Sequence, residues 1–575
     1  MNGKEVLSLS DHDISIFVEQ AEYIPTAAFQ KWNTEHPEEE SIIKKLSQWG
    51  AKLIIGPRGC GKTTLLLKAY DRLSKSNGKA ALPVYVNFKS SLKVEPLYKT
   101  TYNAVFWFNQ WILLKVYQGL FNTLKDMNIA LVEGLKLKKK YVDQTITKIE
   151  FGQVHLIKED NTISIEILED DIRKILDVSN KSHCVLLLDD AAHAFSSEQQ
   201  RDFFDFFRQV KSKVISPKAA VYPGVTIYSS TFHIGHDAEE INVWIRPDSP
   251  NYLEFMTGLL ERRLPSEVFK QLVEKRELLE VVCYSAFGLP RTLLNMVRNF
   301  YKENSDEEEN KSFDITFDKS VATKAISESL KQTLNIYASL KAQLPTYEKF
   351  INTGSEIFTK MIDLVKEWNK GKDVSNQSVT IAISRPIPAE LLKVLGFFQY
   401  AGLLLPKGDV SKGEKGVFEL YSIHYSALVE RNVFMSQTSI SISNLLVALS
   451  KRNAHSYTRT STSALIGTEN IAHSFPLSLP PCQSCKEPRT SEHSKFCPNC
   501  GAQLKTVSIF ESLVSNNLTV LPLTPSRIQT IIKHSNIRTI KDILMDTENR
   551  ELRKVPQIGP VWAQRMYSYA EEYLV

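Results

Sequence analysis

Gly56-Pro57-Arg58-Gly59-Cys60-Gly61-Lys62-Thr63 spells G-x-x-x-x-G-K-[ST], and Thr64 follows it. Glycines let successive backbone N–H groups close around a polyphosphate, and a helix N-terminus behind the loop adds positive dipole. Lys62 would bridge the β- and γ-phosphates of a nucleoside triphosphate, and the Thr63 hydroxyl would sit on Mg²⁺. A loop of this kind needs an acid at the end of another strand. Val185-Leu186-Leu187-Leu188-Asp189-Asp190 supplies two, with Asp189 as the expected Mg²⁺ partner. Taken singly, the two motifs also read as a glycine turn and a helix cap. A loop framed by strand and helix, with an acid-ended strand elsewhere, favours phosphate chemistry.

A second constellation is sulfur. Cys60, Cys184 and Cys283 are scattered, whereas Cys482, Cys485, Cys497 and Cys500 fall within nineteen residues. Two C-x-x-C knuckles offer four thiolates, for which tetrahedral Zn²⁺ is the natural partner. In Cys497-Pro498-Asn499-Cys500-Gly501 the glycine permits the tight turn around sulfur. So small a module lacks a core, and metal binding would supply its folding free energy. Surface thiols or a redox pair are the alternatives. His493 lies between the knuckles and is surplus to a four-sulfur shell.

These groups need elements to position them. Lys52 to Ile55 is a short apolar strand, and Thr63 to Ser74 reads as a helix. Strands are expected at Leu82 to Phe88, Cys184 to Leu188 and Val225 to Ser229, with helices at Thr101 to Lys125 and Glu198 to Lys213. Stretches 151–157 and 162–167 also read as strands. Strands alternating with helices imply a parallel sheet. The basic run Lys136 to Lys140 reads as a solvated helix face. Residues 251–300 and 315–375 read as helices, and 305–312 as an acidic surface loop. Ala389 to Gly402 is a helix, and Leu403-Leu404-Leu405 and Val417 to Ile423 bracket a turn-rich segment. This helix and hairpin resemble a winged-helix domain. In residues 454–480, Ser and Thr supply nine of 27 positions, the composition of a linker.

The chain has 575 residues, 43% hydrophobic and 23% charged, which excludes a mainly disordered chain, a collagen and a disulfide miniprotein. No apolar run approaches the ~18–20 residues of a membrane span. The start, Met1-Asn2-Gly3-Lys4-Glu5, lacks an apolar signal core, so a reducing, cytoplasmic setting is expected. The net charge of +5, from 70 basic and 65 acidic residues, excludes only a strongly acidic surface.

Residues 50–300 resemble the AAA+ and STAND P-loop ATPases, most closely the Orc-type initiator branch. That resemblance implies ATP as ligand and its hydrolysis, which a departure at Asp190 would slow. Asp190 stands where many relatives carry Glu as the base on the attacking water, and its shorter arm suits a switch. Gly288-Leu289-Pro290-Arg291 resembles the G-x-P-R of the helical lid, which would make Arg291 the sensor-2 arginine on the γ-phosphate; otherwise it is a plain helix start. Sensor 1 would fall at the polar end of Val225 to Ser229, with Ser230 and Thr231. Arg246, Arg262 and Arg263 are candidates for reaching a neighbouring subunit.

Residues 523–575 resemble a helix-hairpin-helix domain, especially the type that closes the RNA polymerase α subunit. The match runs from Arg527-Ile528 through Ile537 to Leu544, Glu551-Leu552, Val555-Pro556-Gln557-Ile558-Gly559-Pro560 and Ala563. It implies contact of Gln557, Ile558, Gly559 and Arg565 with DNA phosphates. Gln557 replaces the usual first hairpin glycine, and Val561 a common basic residue. A helical protein-interaction module is the alternative.

The expected architecture is therefore multidomain. A lead-in at 1–49 precedes an α/β P-loop ATPase with parallel sheet and helical lid at 50–300. A helical plus winged-helix domain at 301–453 and a linker at 454–480 come next. A zinc ribbon at 481–505 and a small all-α helix-hairpin-helix domain at 506–575 end the chain. The expected cofactors are ATP, Mg²⁺ and Zn²⁺. The expected activity is an ATP-dependent DNA-binding switch, gripping duplex DNA by its backbone and assembling into homo-oligomers with ATP. The alternative is a STAND-like signalling ATPase, of the kind found in antiphage defence, whose tail recognises a partner protein.

Overall fold

The computed structural model describes residues 21, 24, 29 and 31–574, apart from 102, 131, 158–161, 192–195, 301–315, 435–439, 452–455, 468–470, 483, 490–493, 495, 503, 505–508, 522, 524, 547–548 and 557. The expected acidic loop at 305–312, His493 and Gln557 lie outside the described residues.

Five strands form the first sheet: β1 (Lys52–Ile55), β2 (Leu82–Asn87), β3 (Cys184–Asp189), β4 (Ile215–Val221) and β5 (Glu239–Asn242). They are parallel, in the order β2-β3-β4-β1-β5. Side chains alternate along a strand, so the run in β3 feeds two cores. Val185 and Leu187 join one, Leu186 and Leu188 the other, and all six residues of β3 are buried. Register brings the functional ends together. Asn87 pairs with Asp189 and Ile55 with Val221, so the loop after β1, the acids of β3 and the residue after β4 share one edge.

Helices α1 (Glu39–Ser47) and α2 (Lys62–Lys75) pack together beside the sheet. On the opposite face lie α3 (Ala104–Asp126), α4 (Lys139–Glu150), α5 (Ile165–Ser179) and α6 (Ser197–Val210). The two strands expected between 151 and 167 are not formed. Val154–Leu156 is a 3-10 turn, and the second stretch enters α5. Leu168, Ile172, Ile175 and Leu176 recur at helical spacing and are buried, and the Ser164 hydroxyl caps the start.

The strand expected at Val225–Ser229 also fails, and β4 lies ten residues earlier at its start. Pro217 and Lys218, within Ile215–Val221, are residues that buried strands rarely carry. Lys218 is fully buried in it, its ammonium donating to the carbonyls of Gln48, at 2.7 Å, and Gly50. After Val221 the chain turns at Pro223-Gly224, with Gly224 at φ +73.

The segment expected as a lid forms α7 (Tyr252–Arg263), α8 (Ser266–Glu274), α9 (Arg276–Ser285) and α10 (Pro290–Arg298). Its core continues into α11 (Lys319–Gln343), α12 (Glu348–Asn369) and α13 (Ala389–Ala401), so the boundary expected at 300 cuts no packing seam. A second sheet holds β6 (Thr380–Ser384), β7 (Leu404–Ser411), β8 (Val417–Ile423) and β9 (Thr458–Thr460), in the order β7-β8-β6-β9.

β9 corrects the linker expected at 454–480. Ile381 to Ile383 pair with Thr458 to Thr460, and Phe475 packs 5.1 Å from Phe350. The Ser/Thr content serves order here. Thr458 and Thr460 are buried on alternate positions, and Ser461 caps the helix Thr462–Ile466. Finally α14 (Pro525–His534), α15 (Ile540–Met545) and α16 (Pro560–Leu574) enclose a small core. Leu574, Leu513 and Val514 pack on Leu92, just beyond β2, so the tail rests against the first sheet's domain.

One buried group gives the fold a pH dependence. His424 is wholly buried between lid and second sheet, its Nδ1 accepts the Ser426 N–H, and burial pushes its pKa down to about 3. Unfolded, it titrates near its ordinary 6.5. As pH falls below that value the unfolded chain binds the proton first, so stability present above 6.5 drains by about 1.4 kcal/mol per pH unit towards pH 3. His424→Asn keeps a capping acceptor and should flatten the fall in Tm between pH 6.5 and 4; an unchanged slope would refute this origin.

Candidate nucleotide site, metal centre and helical tail

The loop after β1 is shaped by its glycines. Gly61, at φ +100, turns the chain into α2. A Cβ on Gly59 would lie 3.0 Å from the Arg291 side chain, and the Arg291 N–H reaches the Gly59 carbonyl at 3.4 Å. The lid helix α10 therefore starts on the loop, and the structure brings Arg291 to the same pocket as Arg58, Lys62, Thr63 and Thr64.

Lys62 is buried. Its ammonium donates to the carbonyls of Gly56 (2.7 Å) and Pro57 (2.9 Å) and lies 3.5 Å from the Tyr222 ring centroid. Burial lowers its pKa, and Asp189 and Asp190 oppose that shift. Cys60 is buried too, and burial raises its thiol pKa.

The two acids are placed differently. Asp189 is 1% exposed and accepts from the Tyr85 hydroxyl at 2.9 Å. Asp190 lines the pocket, accepts from the Tyr222 hydroxyl at 3.3 Å and adopts φ +52. That left-handed conformation is uncommon for a non-glycine residue, and such backbone clusters at functional sites. Tyr222 occupies the place expected for Ser229 to Thr231. Thr231 instead bonds Asp205 at 2.7 Å on the surface. Recognising Ile215–Val221 as a strand would have exposed Tyr222 as the residue at its end.

The other wall is largely apolar. Trp32, Phe255 and Leu259 line it, with the Arg263 guanidinium 5.3 Å over the Trp32 ring. Burial brings the Arg263 pKa down to about 10. His36 stands beside them, its Nε2 3.4 Å from the Val243 carbonyl, and burial lowers its pKa. Thus Arg263 faces its own chain's pocket, and residues of the polar lead-in form part of it. Arg246 pairs with Asp248 at 3.0 Å, its side chain still 42% exposed. Arg262 ends α7 on the surface.

The four clustered cysteines converge. Cys482 and Cys500 sulfurs lie 3.5 Å apart, Cys485 and Cys497 3.6 Å, and all four lie within 4.8 Å of one another. A disulfide needs about 2.05 Å. Tetrahedral zinc at about 2.3 Å from each sulfur requires edges near 3.8 Å, which this set fits. The knuckles are copies. Cys482 N–H donates to Glu487 and Cys497 N–H to Ala502, while Lys486 (φ +60) and Gly501 (φ +69) occupy matching turns. Backbone N–H groups of Cys485 and Ser484 point at the Cys482 sulfur and hold its thiol pKa at about 6.

In the tail, Ile558 is buried and its N–H donates to the Val555 carbonyl at 3.1 Å, so it belongs to the core rather than to a contact surface. Gly559 is exposed, with open space where a Cβ would stand. Arg565 donates to the Tyr569 hydroxyl at 2.9 Å and lies 5.0 Å from the Trp562 ring. Arg527 stacks on the same ring at 3.7 Å. Arg527 comes to this ring from α14, whereas Trp562 and Arg565 are neighbours on α16, so only the fold completes the cluster.

No family model and no curated protein matches the chain. Among solved structures it is similar to the ORC1 protein of Aeropyrum pernix in complex with DNA, at 12% identity over 70% of this chain and 93% of that one, with a TM-score of 0.28. It is similar to a Walker-type ATPase of Pyrococcus abyssi at 13% identity over 70% and 96%, with a TM-score of 0.35. For Cdc6p from Pyrobaculum aerophilum the identity is 11% over 73% and 97%, with a TM-score of 0.24.

Proposed function

We propose that the chain is an ATP-binding, slowly hydrolysing switch that controls its engagement of duplex DNA. The observation that carries this is the convergence of Lys62, Thr63, Asp190 and Arg291 on one pocket, at the edge where β1, β3 and β4 end. Loop N–H groups and Lys62 would hold the phosphates, and Trp32 and Phe255 would enclose the base. Thr63 and Asp189 would hold Mg²⁺, which supplies charge neutralisation at the phosphates. Arg291 would sense the γ-phosphate from the lid. Asp190 would orient the attacking water.

Asp190→Asn should lower turnover by about 10²–10⁴-fold, the range of a positioned general base, while ATP affinity stays within a small factor. A wild-type rate in that variant would remove Asp190 from the role.

For DNA, the β7–β8 hairpin would act as a wing, and Gly559 with the Arg527–Trp562–Arg565 cluster would meet phosphates. Binding would be read mainly through backbone and charge. Log K should fall with log salt at a slope of roughly −0.9 per phosphate contact. Deleting residues 481–575 should make that slope shallower, and an unchanged slope would take the tail out of the DNA interface.

One observation favours a second reading, a signalling ATPase with a protein-recognising tail. The tail already makes a protein contact, through Leu513, Val514 and Leu574 on Leu92.

A further inference from the structure

Helix α13 touches the loop that holds Lys62. The Arg58 N–H donates to the Tyr400 carbonyl at 3.0 Å, and the Arg58 side chain donates to the Tyr400 hydroxyl. Tyr400 and Tyr222 meet edge to face, ring centroids 5.6 Å apart. Tyr222 in turn carries the Lys62 ammonium on its face and holds Asp190 through its hydroxyl. Lys62, Tyr222 and Tyr400 are all buried, so no water shell uncouples them.

A second contact fixes α13 to the same place. Gly224, two residues beyond Tyr222, abuts Gly396 of α13 backbone to backbone. A Cβ built on Gly396 would lie 2.6 Å from the Gly224 Cα, and one on Gly224 would lie 2.1 Å from the Gly396 carbonyl carbon. Lys393, also on α13, donates to the Gly224 carbonyl at 2.9 Å. The helix cannot shift without moving the β4 end, nor can the β4 end shift without moving the helix. α13 leads directly into the β7–β8 hairpin.

We propose that Tyr222 and Tyr400 are positioning residues that couple occupancy of the phosphate loop to the placement of α13 and its hairpin. This rests on the nucleotide reading of the site. In the structure Lys62 is satisfied by two neutral carbonyls and an aromatic face. A triphosphate offers charge-assisted hydrogen bonds, which are stronger, and draws the ammonium away from the ring. Tyr222 then loses its cation and Asp190 turns towards phosphate and water. Tyr222 is wedged between that change and Tyr400, and the glycine seam leaves α13 no slack to absorb it. Packed elements of this kind switch between arrangements rather than deform gradually.

The test is hydrogen exchange on the full chain, with and without ATP and Mg²⁺, read over residues 389–423 and paired with a direct measurement of ATP affinity. Wild-type protein should change exchange there by at least roughly fivefold, the lower end of typical coupling. Tyr400→Leu removes the ring and the hydroxyl outside the pocket. It should abolish the change while ATP affinity stays within about threefold. Tyr400→Phe removes only the hydroxyl bonded by Arg58, should cut the change by at least half, and serves if the leucine variant does not fold. ATP binding to wild type without altered exchange in 389–423 would overturn the coupling alone, as would a full response in both variants. Absence of ATP binding to wild type would overturn the nucleotide reading itself, and the coupling with it.

Discussion

Lys62→Ala is expected to weaken ATP binding by about two to three orders of magnitude, because truncating a buried charged partner costs on the order of 3–4 kcal/mol. The lysine is desolvated under Tyr222, where its attraction for phosphate is little screened. Its burial also carries a structural cost. Without the ammonium, the carbonyls of Gly56 and Pro57 lose a donor, a penalty of about 1–3 kcal/mol. Calorimetric titration with ATP and thermal unfolding without it separate the two effects. Near-wild-type affinity would show that the loop does not hold phosphate.

Removing the metal is expected to have the larger structural effect. Structural zinc contributes roughly 10–16 kcal/mol of folding free energy in small modules, and no hydrophobic core cluster includes the described residues of the segment holding the four cysteines. Metal analysis should give about one zinc per chain. Cys497→Ser with Cys500→Ser, or chelation, should abolish it and open the chain to protease beyond residue 480. Cleavage should spare Thr458–Thr460, because β9 is paired with β6, and ATP binding should persist. A native protein free of zinc, with disulfides within the cluster, would contradict the assignment.

The parts legible in the sequence were those governed by short-range chemistry. The loop's glycines, the acid-ended strand β3, the two C-x-x-C knuckles and the start of α10 at Pro290 each carry their reason within a few residues. What stayed hidden depends on contacts far apart in sequence. Ile215–Val221 contains Pro217 and Lys218, and only the carbonyls of Gln48 and Gly50 make that lysine tolerable inside a sheet. With β4 misplaced, Tyr222 could not be recognised. Thr458–Thr460 has a linker's composition and a strand's alternation, and the presence of β6 decides between them. Trp32 joins the pocket through tertiary packing that the polar composition of the lead-in does not announce.

The most direct measurement is fluorescence anisotropy of a labelled duplex titrated with the full chain at about 50 mM salt, with and without ATP and Mg²⁺. Binding to duplexes of unrelated sequence is expected, tightened by ATP at least roughly fivefold. No detectable binding, with or without ATP, would contradict the proposed switch and leave the tail as a protein-recognition arm.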